Sequence, residues 1–235
     1  MDLDLQNSIR PGLDILANEI VIALKKRTRF CLNPEIYEAG LVKGRPRSSL
    51  LHYELERIEQ AHAELGRFKY ADQEPFTDVD HIEPIIVRRT PPSPIQPMRS
   101  GIGERIIAFY RQWLASACEA GSDADSYGET VTSDVNALLA IMERINLGKY
   151  VAESKFSDAQ EKFRAAGGER EATLELIVRK DREGQVFDLA RTLALNYALD
   201  EKHSLAVFEF MVEVTKDVEV DYIRQRLQAP PEPIR

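Results

Sequence analysis

Arg144 and Lys155 stand eleven residues apart in IMERINLGKYVAESKF, residues 141–156. Ile141, Ile145, Gly148, Ala152 and Phe156 recur there at three- and four-residue steps, so the stretch reads as one helix. Eleven residues are close to whole turns, which puts both cations on one face with Cα atoms roughly 16–17 Å apart. Two long cationic side chains leaning together leave room for a small anionic molecule. On spacing alone the blander reading prevails, with Arg144 and Lys155 solvated or paired with Glu143 and Glu153. Thr215 and Glu219 in VTKDVEVDYIRQRL, and Arg179 and Glu183 in VRKDREGQV, are further pairs four residues apart. Taken alone, the first is the polar face of a helix and the second an exposed ion pair. Arg10 opens a helical pattern in which Pro11 suits the first turn; it either reaches into a neighbouring cleft or is simply exposed.

The whole chain must position these groups. Its 235 residues can bury a large core, and nothing in the pattern forces a second domain. A hydrophobic share of 43% with 30% charged residues describes a soluble globular protein. The net charge of −8 argues against a nucleic-acid surface, so an anionic ligand needs cations gathered locally. No apolar run is long enough to span a membrane. MDLDLQNSIRPG lacks a basic then apolar leader pattern, although a chain trimmed of its leader would read the same way. Cys31 and Cys118 form no metal spacing and define no redox compartment, and His52 and His62 read as ordinary helix residues. No metal site and no cofactor motif is found.

Helical spacing runs through the chain. A first helix covers residues 5–30, with Leu13, Leu16, Ile20 and Leu24 inward and Asn7 or Ser8 as cap. After a Pro- and Gly-punctuated loop, Ser48 caps a second helix carrying Leu51, Leu55, Ile58 and Leu65. Residues 71–100 are irregular, and the proline-rich part at 84–100 reads as a strap packed on the surface rather than a docking peptide. A helix over 102–118 follows. One long helix is then expected from about Thr130 to Phe156, and Ser157 caps a short one ending at Gly167-Gly168. Helices over 169–179, 182–198 and 203–227 complete the set, with residues 229–235 a frayed tail. No alternating strand flanked by hairpin turns is found. The expected fold is all-α, a single domain over 1–235.

The stretches LQNSIRPGLDILANEI, SSLLHYELERIEQAHAELGRF with EPF, ERINLGKYVAESKF and VTKDVEVDYIRQRL resemble the signatures of chorismate mutase in its all-helical fungal and plant form. They occur in that family's order and cover about a third of the chain. The resemblance implies a homodimer with one active site inside each helical bundle, converting chorismate to prephenate in aromatic amino-acid synthesis. It also implies no cofactor, since the rearrangement is pericyclic, and what a protein can supply is conformation and charge stabilisation. Arg10 and Arg144 resemble the arginines that grip the substrate carboxylates, and Lys155 the lysine that donates to the breaking ether oxygen. Glu219 resembles the acid on that oxygen's other side, and burial is expected to raise its pKa so that it can donate. Glu183 resembles the acceptor of the ring hydroxyl, and Thr215 the threonine holding a carboxylate or water.

Departures from the family accompany the match. Arg179 stands where fungal relatives carry asparagine, and Arg182 where bacterial relatives place a carboxylate-binding arginine, so either could enter the substrate site. Fungal and plant members answer to tyrosine and tryptophan through paired arginines before EPF and a GS-x-x-T turn. Here these become Gly66-Arg67 and Gly128-Glu129-Thr130-Val131-Thr132. A cation is lost and Glu129 adds an anion, so weakened feedback control through Arg67, Gly128, Glu129 and Thr132 is expected. The compartment implied is cytoplasmic. Two alternatives stay open: a secreted mutase that acts on a host chorismate pool and meets a host protein partner, and an inactive binding protein on the same fold.

Overall fold

The computed structural model describes residue 3, residues 5–87, residue 89 and residues 92–228. The tail at 229–235 lies outside them, as do three positions of the proline-rich strap. Helices make up the fold. Among the described residues the only extended pairing is an isolated bridge between Ala39 and Ser49. The all-α expectation is met.

The first helix, α1 (Arg10–Arg27), starts later than its apolar pattern does. Residues Leu5–Ile9 are wound as a looser π-turn, and no side chain caps α1, contrary to the expected cap at Asn7 or Ser8. Pro11 explains the boundary: with φ fixed and no N–H to satisfy, it suits the opening turn of a regular ladder. In α2 (Leu50–Glu64) the cap is Ser49, not Ser48. Ser49 is extended, with φ −73° and ψ 162°, and its Oγ accepts the His52 N–H at 3.1 Å. α3 (Gly103–Ala117) runs as expected.

The largest correction concerns the long helix. It divides into α4 (Tyr127–Asn146) and α5 (Gly148–Asp158). Leu147 between them keeps helical angles, φ −61° and ψ −18°, while the ladder tightens so that the Tyr150 N–H reaches Leu147 O at 3.1 Å. Arg144 and Lys155 therefore belong to two helices, and one continuous face does not relate them. Ser157 lies inside α5 and caps nothing; α6 (Gln160–Ala166) starts after Ala159 instead. It ends at Gly167 and Gly168, whose φ values of 60° and 78° are left-handed. α7 (Arg170–Ile177), α8 (Lys180–Tyr197) and α9 (Glu201–Gln228) follow.

Apolar burial sets how these helices meet. Ala17, Ile20 and Leu24 of α1 share one core with Val135, Leu138 and Ile141 of α4, and with Val207, Phe208 and Met211 of α9. Each such side chain contributes about 1.5–3 kcal/mol when fully buried. A second cluster of Phe156, Phe163, Ile177, Tyr222 and Ile223 closes α5, α6 and α7 onto α9. Arg27 and Asp134, both fully buried, bond at 2.6 Å and tie the end of α1 to α4. Asp134 also accepts from Tyr37 at 2.6 Å and from Tyr110 at 3.0 Å, so the carboxylate is not left wanting.

The strap is held from beneath. Lys149 of α5, fully buried, donates to Met98 O at 2.7 Å, and Glu74 accepts from Ser100 and Gly101. Gln225 of α9 donates to Pro97 O at 2.8 Å. A proline-rich segment offers few N–H groups of its own, so carbonyls and flanking amides carry its attachment. No helix among the described residues is long and apolar enough to cross a membrane.

Candidate active site

The candidate residues come from five elements, and two of these, α1 and α9, approach the junction of α4 and α5. The start of α1 lies on it: a Cβ added at Gly12 would stand 3.8 Å from Leu147 Cδ1. On the other side Gly148 faces α9, where an added Cβ would stand 2.6 Å from Thr215 Cγ2 and 3.9 Å from Glu219 Cγ. Glycine thus lets α5 come close enough to α9 for their polar side chains to share one space. Gly148→Ala is expected to cost about 1–3 kcal/mol by overpacking, read as a lower urea midpoint at unchanged m-value. Adding Thr215→Ser, which removes the clashing methyl, should recover most of that loss. Failure to recover would place the strain elsewhere.

Seven residues beyond Gly148, Lys155 donates to Glu219 Oε2 at 2.7 Å and to Ile177 O at 2.9 Å. The second acceptor is the last residue of α7, where carbonyls left unpaired by the helix end attract a cation. Glu219 has only 8% of its side chain exposed, and this burial pushes its carboxyl above the usual range. Lys155 and then Lys216 oppose the push, while Glu183 adds to it.

The arginines are placed differently. Arg144, in the last turn of α4, is buried with its guanidinium 5.4 Å from the centre of the Phe208 ring. Its Nε has no hydrogen-bond partner, and burial pulls its pKa down to about 10, with Asp14 acting against the fall. One terminal nitrogen of Arg10 is likewise buried without a partner, and so is Thr215 Oγ1. Buried polar atoms are nearly always satisfied, and leaving one unmade costs about 1–3 kcal/mol. Unpartnered groups on α1, α4 and α9, with a buried Lys–Glu pair joining α5 to α9, are the chemistry a polar, anionic ligand would satisfy.

No family model matches the chain. The chorismate mutase of Emericella nidulans is 31% identical, over 96% of this chain and 93% of its own length. The chain belongs to the chorismate mutase family. It is an enzyme of that class. Among solved structures, the chloroplast chorismate mutase of Zea mays aligns over 98% of this chain and all of its own, with 26% identity and a TM-score of 0.83. AtCM1, solved with tyrosine bound in its allosteric site, is 25% identical with a TM-score of 0.83 over 96% of this chain and all of its own.

Within this mutase fold the competing ion pairs of Arg144 and Lys155 do not form. Glu143 is taken by Arg67 at 2.7 Å, and Glu153 by Arg226 at 2.8 Å and the Tyr222 hydroxyl at 2.6 Å. The expected Arg179–Glu183 pair is also absent. Arg179 precedes α8 in an extended conformation, φ −132° and ψ 93°, so the two are not stacked on one helical face. Its guanidinium is exposed and donates to the nearby Leu176 and Val178 carbonyls, each at 3.2 Å. Arg182 is exposed too and donates to Gln185 at 2.6 Å. Glu183 instead pairs with Lys216 of α9 at 2.7 Å.

Lys216 is the charged residue that sequence spacing missed. It sits between Thr215 and Glu219 in the string, but its partner is 33 positions away on another helix. Phe208 was likewise hidden as one more core residue. Asn146, the last residue of α4, is 1% exposed with neither side-chain amide atom partnered, and nothing in the spacing of ERINLGKY marks it.

Of the four residues of the regulatory stretches, Arg67 lies just after α2, and Gly128, Glu129 and Thr132 lie at the opposite end of α4 from Arg144. Arg67 follows α2, with Nη2 2.7 Å from Glu143 Oε2 and Nε 2.7 Å from Gln73 Oε1. Gly66 before it has φ 75°, a left-handed turn that suits glycine. Gly128 and Glu129 are exposed in the first turn of α4, and Thr132 donates to Glu54 Oε1 at 2.8 Å.

Proposed function

We propose that this chain rearranges chorismate to prephenate in the site where α1, α4, α5 and α9 converge. The observation that carries the reading is the set of buried, unpartnered donors on Arg10, Arg144 and Thr215 beside the Lys155–Glu219 pair. Arg10 and Arg144 take the two carboxylates, for which a planar guanidinium fork is better matched than a point charge. Held at both ends, the flexible substrate is kept in the chair-like form from which one C–O bond breaks as one C–C bond forms. Both events occur within one molecule, so no proton or electron need leave it. The ether oxygen gains negative charge, and it enters between Lys155 and Glu219, each of which now satisfies the other. Lys155 donates to it from one side and protonated Glu219 from the other. Glu183 accepts from the ring hydroxyl.

The chain works as a homodimer in this proposal, and tyrosine and tryptophan have little hold on it. The support for weak control is that Arg67 is already bound by Glu143 and Gln73, and that Glu129 adds an anion to the stretch expected to meet an amino-acid carboxylate. The test is loss of chorismate absorbance with purified protein, alone and with either amino acid, between about pH 5 and 8. Turnover is expected, unchanged by tyrosine or tryptophan, against the roughly 5- to 150-fold changes that ordinary coupling between sites produces. A response to either amino acid would overturn the regulatory part alone. No turnover at any pH would overturn the catalytic reading and leave a binding protein.

A further inference from the structure

We propose that Lys216 is a positioning residue of this active site: from α9 it holds the Glu183 carboxylate in place across the α8–α9 seam, one helical turn from Glu219. The inference rests on the function proposed above and names a residue which that function has not yet used. Lys216 and Glu219 are three residues apart on α9, so their side chains leave the same side of the helix. Thr215, with its unpartnered hydroxyl, is the next residue before Lys216. Glu183 arrives from the first turn of α8, and its Oε1 meets Lys216 Nζ at 2.7 Å. Their side chains are 29% and 25% exposed, so water screens the pair only in part. With Lys155 on Glu219 at 2.7 Å, each of the two lysines has its own carboxyl partner.

That matching is why a lysine is needed. Glu183 without Lys216 would be an unneutralised anion at the edge of a site that must accept a dianion. It would also be free to change rotamer, and so would no longer stand where the ring hydroxyl donates. Lys216 does a second thing from the same place. The groups facing Glu219 are Lys155 from α5, Lys216 from its own helix and Glu183 from α8; the two lysines hold its pKa down and Glu183 raises it. Arg144 of α4 packs on α9 at Phe208, eleven residues and about 16 Å along the axis from Glu219. Lys216 thus limits how far burial can lift the acid that must protonate. The other acids nearby on α9 are engaged elsewhere, Glu213 with Arg105, Asp217 with Arg105 and Arg170, and Asp221 with Arg224, and do not compete for Lys216.

The experiment compares wild type, Lys216→Gln, Lys216→Arg and Glu183→Gln in the chorismate assay, with kcat and KM taken across pH. Lys216→Gln should raise KM roughly tenfold, the order of one charge-assisted hydrogen bond. It should also move the alkaline fall in activity upward, because Glu219 then keeps its proton longer. Glu183→Gln should move the same fall downward, since the anion that helps to hold the proton is gone. Lys216→Arg, which keeps the charge, should restore the wild-type position. A Lys216→Gln profile lowered evenly at every pH, with its midpoint unmoved, would make Lys216 merely structural and overturn the proposal. Carboxyl-carbon NMR titration of Glu219 in the same proteins reads the identical shifts without turnover. An inactive wild type would therefore overturn the proposed function while the titration still decides the role of Lys216, and opposite shifts in Lys216→Gln and Glu183→Gln remain the required result.

Discussion

Replacing Lys155 with methionine is expected to lower kcat for the rearrangement by about 10²–10³-fold, with kcat/KM falling by the same factor. The size follows from when the contact is made. The ether oxygen carries little charge in the bound substrate and gains it only as the C–O bond opens, so a donor aimed there acts chiefly on the transition state. Lys155 is already fixed for this, with Ile177 O at 2.9 Å and Glu219 at 2.7 Å setting where its ammonium stands. Methionine fills the same length without the charge, and Glu219, whose pKa burial already raises, can take a proton rather than remain a buried unpaired anion. The fold should survive, checked by an unchanged helical circular-dichroism spectrum. Steady-state kinetics on chorismate decides the matter. A tenfold or greater rise in KM with kcat intact would mean that Lys155 binds a ground-state carboxylate and leaves the breaking bond alone.

How much of this could be read in the string depends on the range of each interaction. The helices α1, α2, α3, α8 and α9 follow from apolar residues at three- and four-residue steps, because that signal and the burial of one face are the same fact. The break at Leu147 left no such mark: the spacing runs on through Gly148, where the ladder tightens and Thr215, 67 residues further along, comes close. Ser48 and Ser49 are neighbours of one residue type, so composition could not choose between them as caps. The arginines and carboxylates of the site were legible as residue types at helical spacing, and the resemblance supplied their roles. Their partners were not legible. Glu183 looked matched to Arg179 because they are four apart, and it meets Lys216 because α8 packs on α9. Burial is equally silent in a string: Arg10, Arg144 and Thr215 carry unpartnered atoms only once α1, α4 and α9 have closed around them.

Glu219 makes the second large prediction, and pH is its lever. A carboxyl can donate to the ether oxygen only while protonated, and burial lifts its pKa against the pull of Lys155 and Lys216. The protonated form exists below that raised value, so wild-type activity should fall as pH rises through it. Glu219→Gln keeps a donor of similar shape that does not titrate. Its rate should be flat where the wild type declines, and should exceed the wild-type rate on the alkaline side. Glu219→Ala removes the donor at every pH and should cost about 10²–10³-fold throughout. Stability carries the same signature. A carboxyl whose folded pKa lies above its unfolded value contributes stability in full below the unfolded value and loses it as pH rises through the folded one. Urea midpoints of the wild type should therefore drop over the interval in which its rate falls, and those of Glu219→Gln should lack that component. A wild-type rate that rises with pH, or a glutamine variant that keeps the wild-type alkaline limb, would show that Glu219 acts ionised, with Lys155 left as the sole donor to the breaking bond.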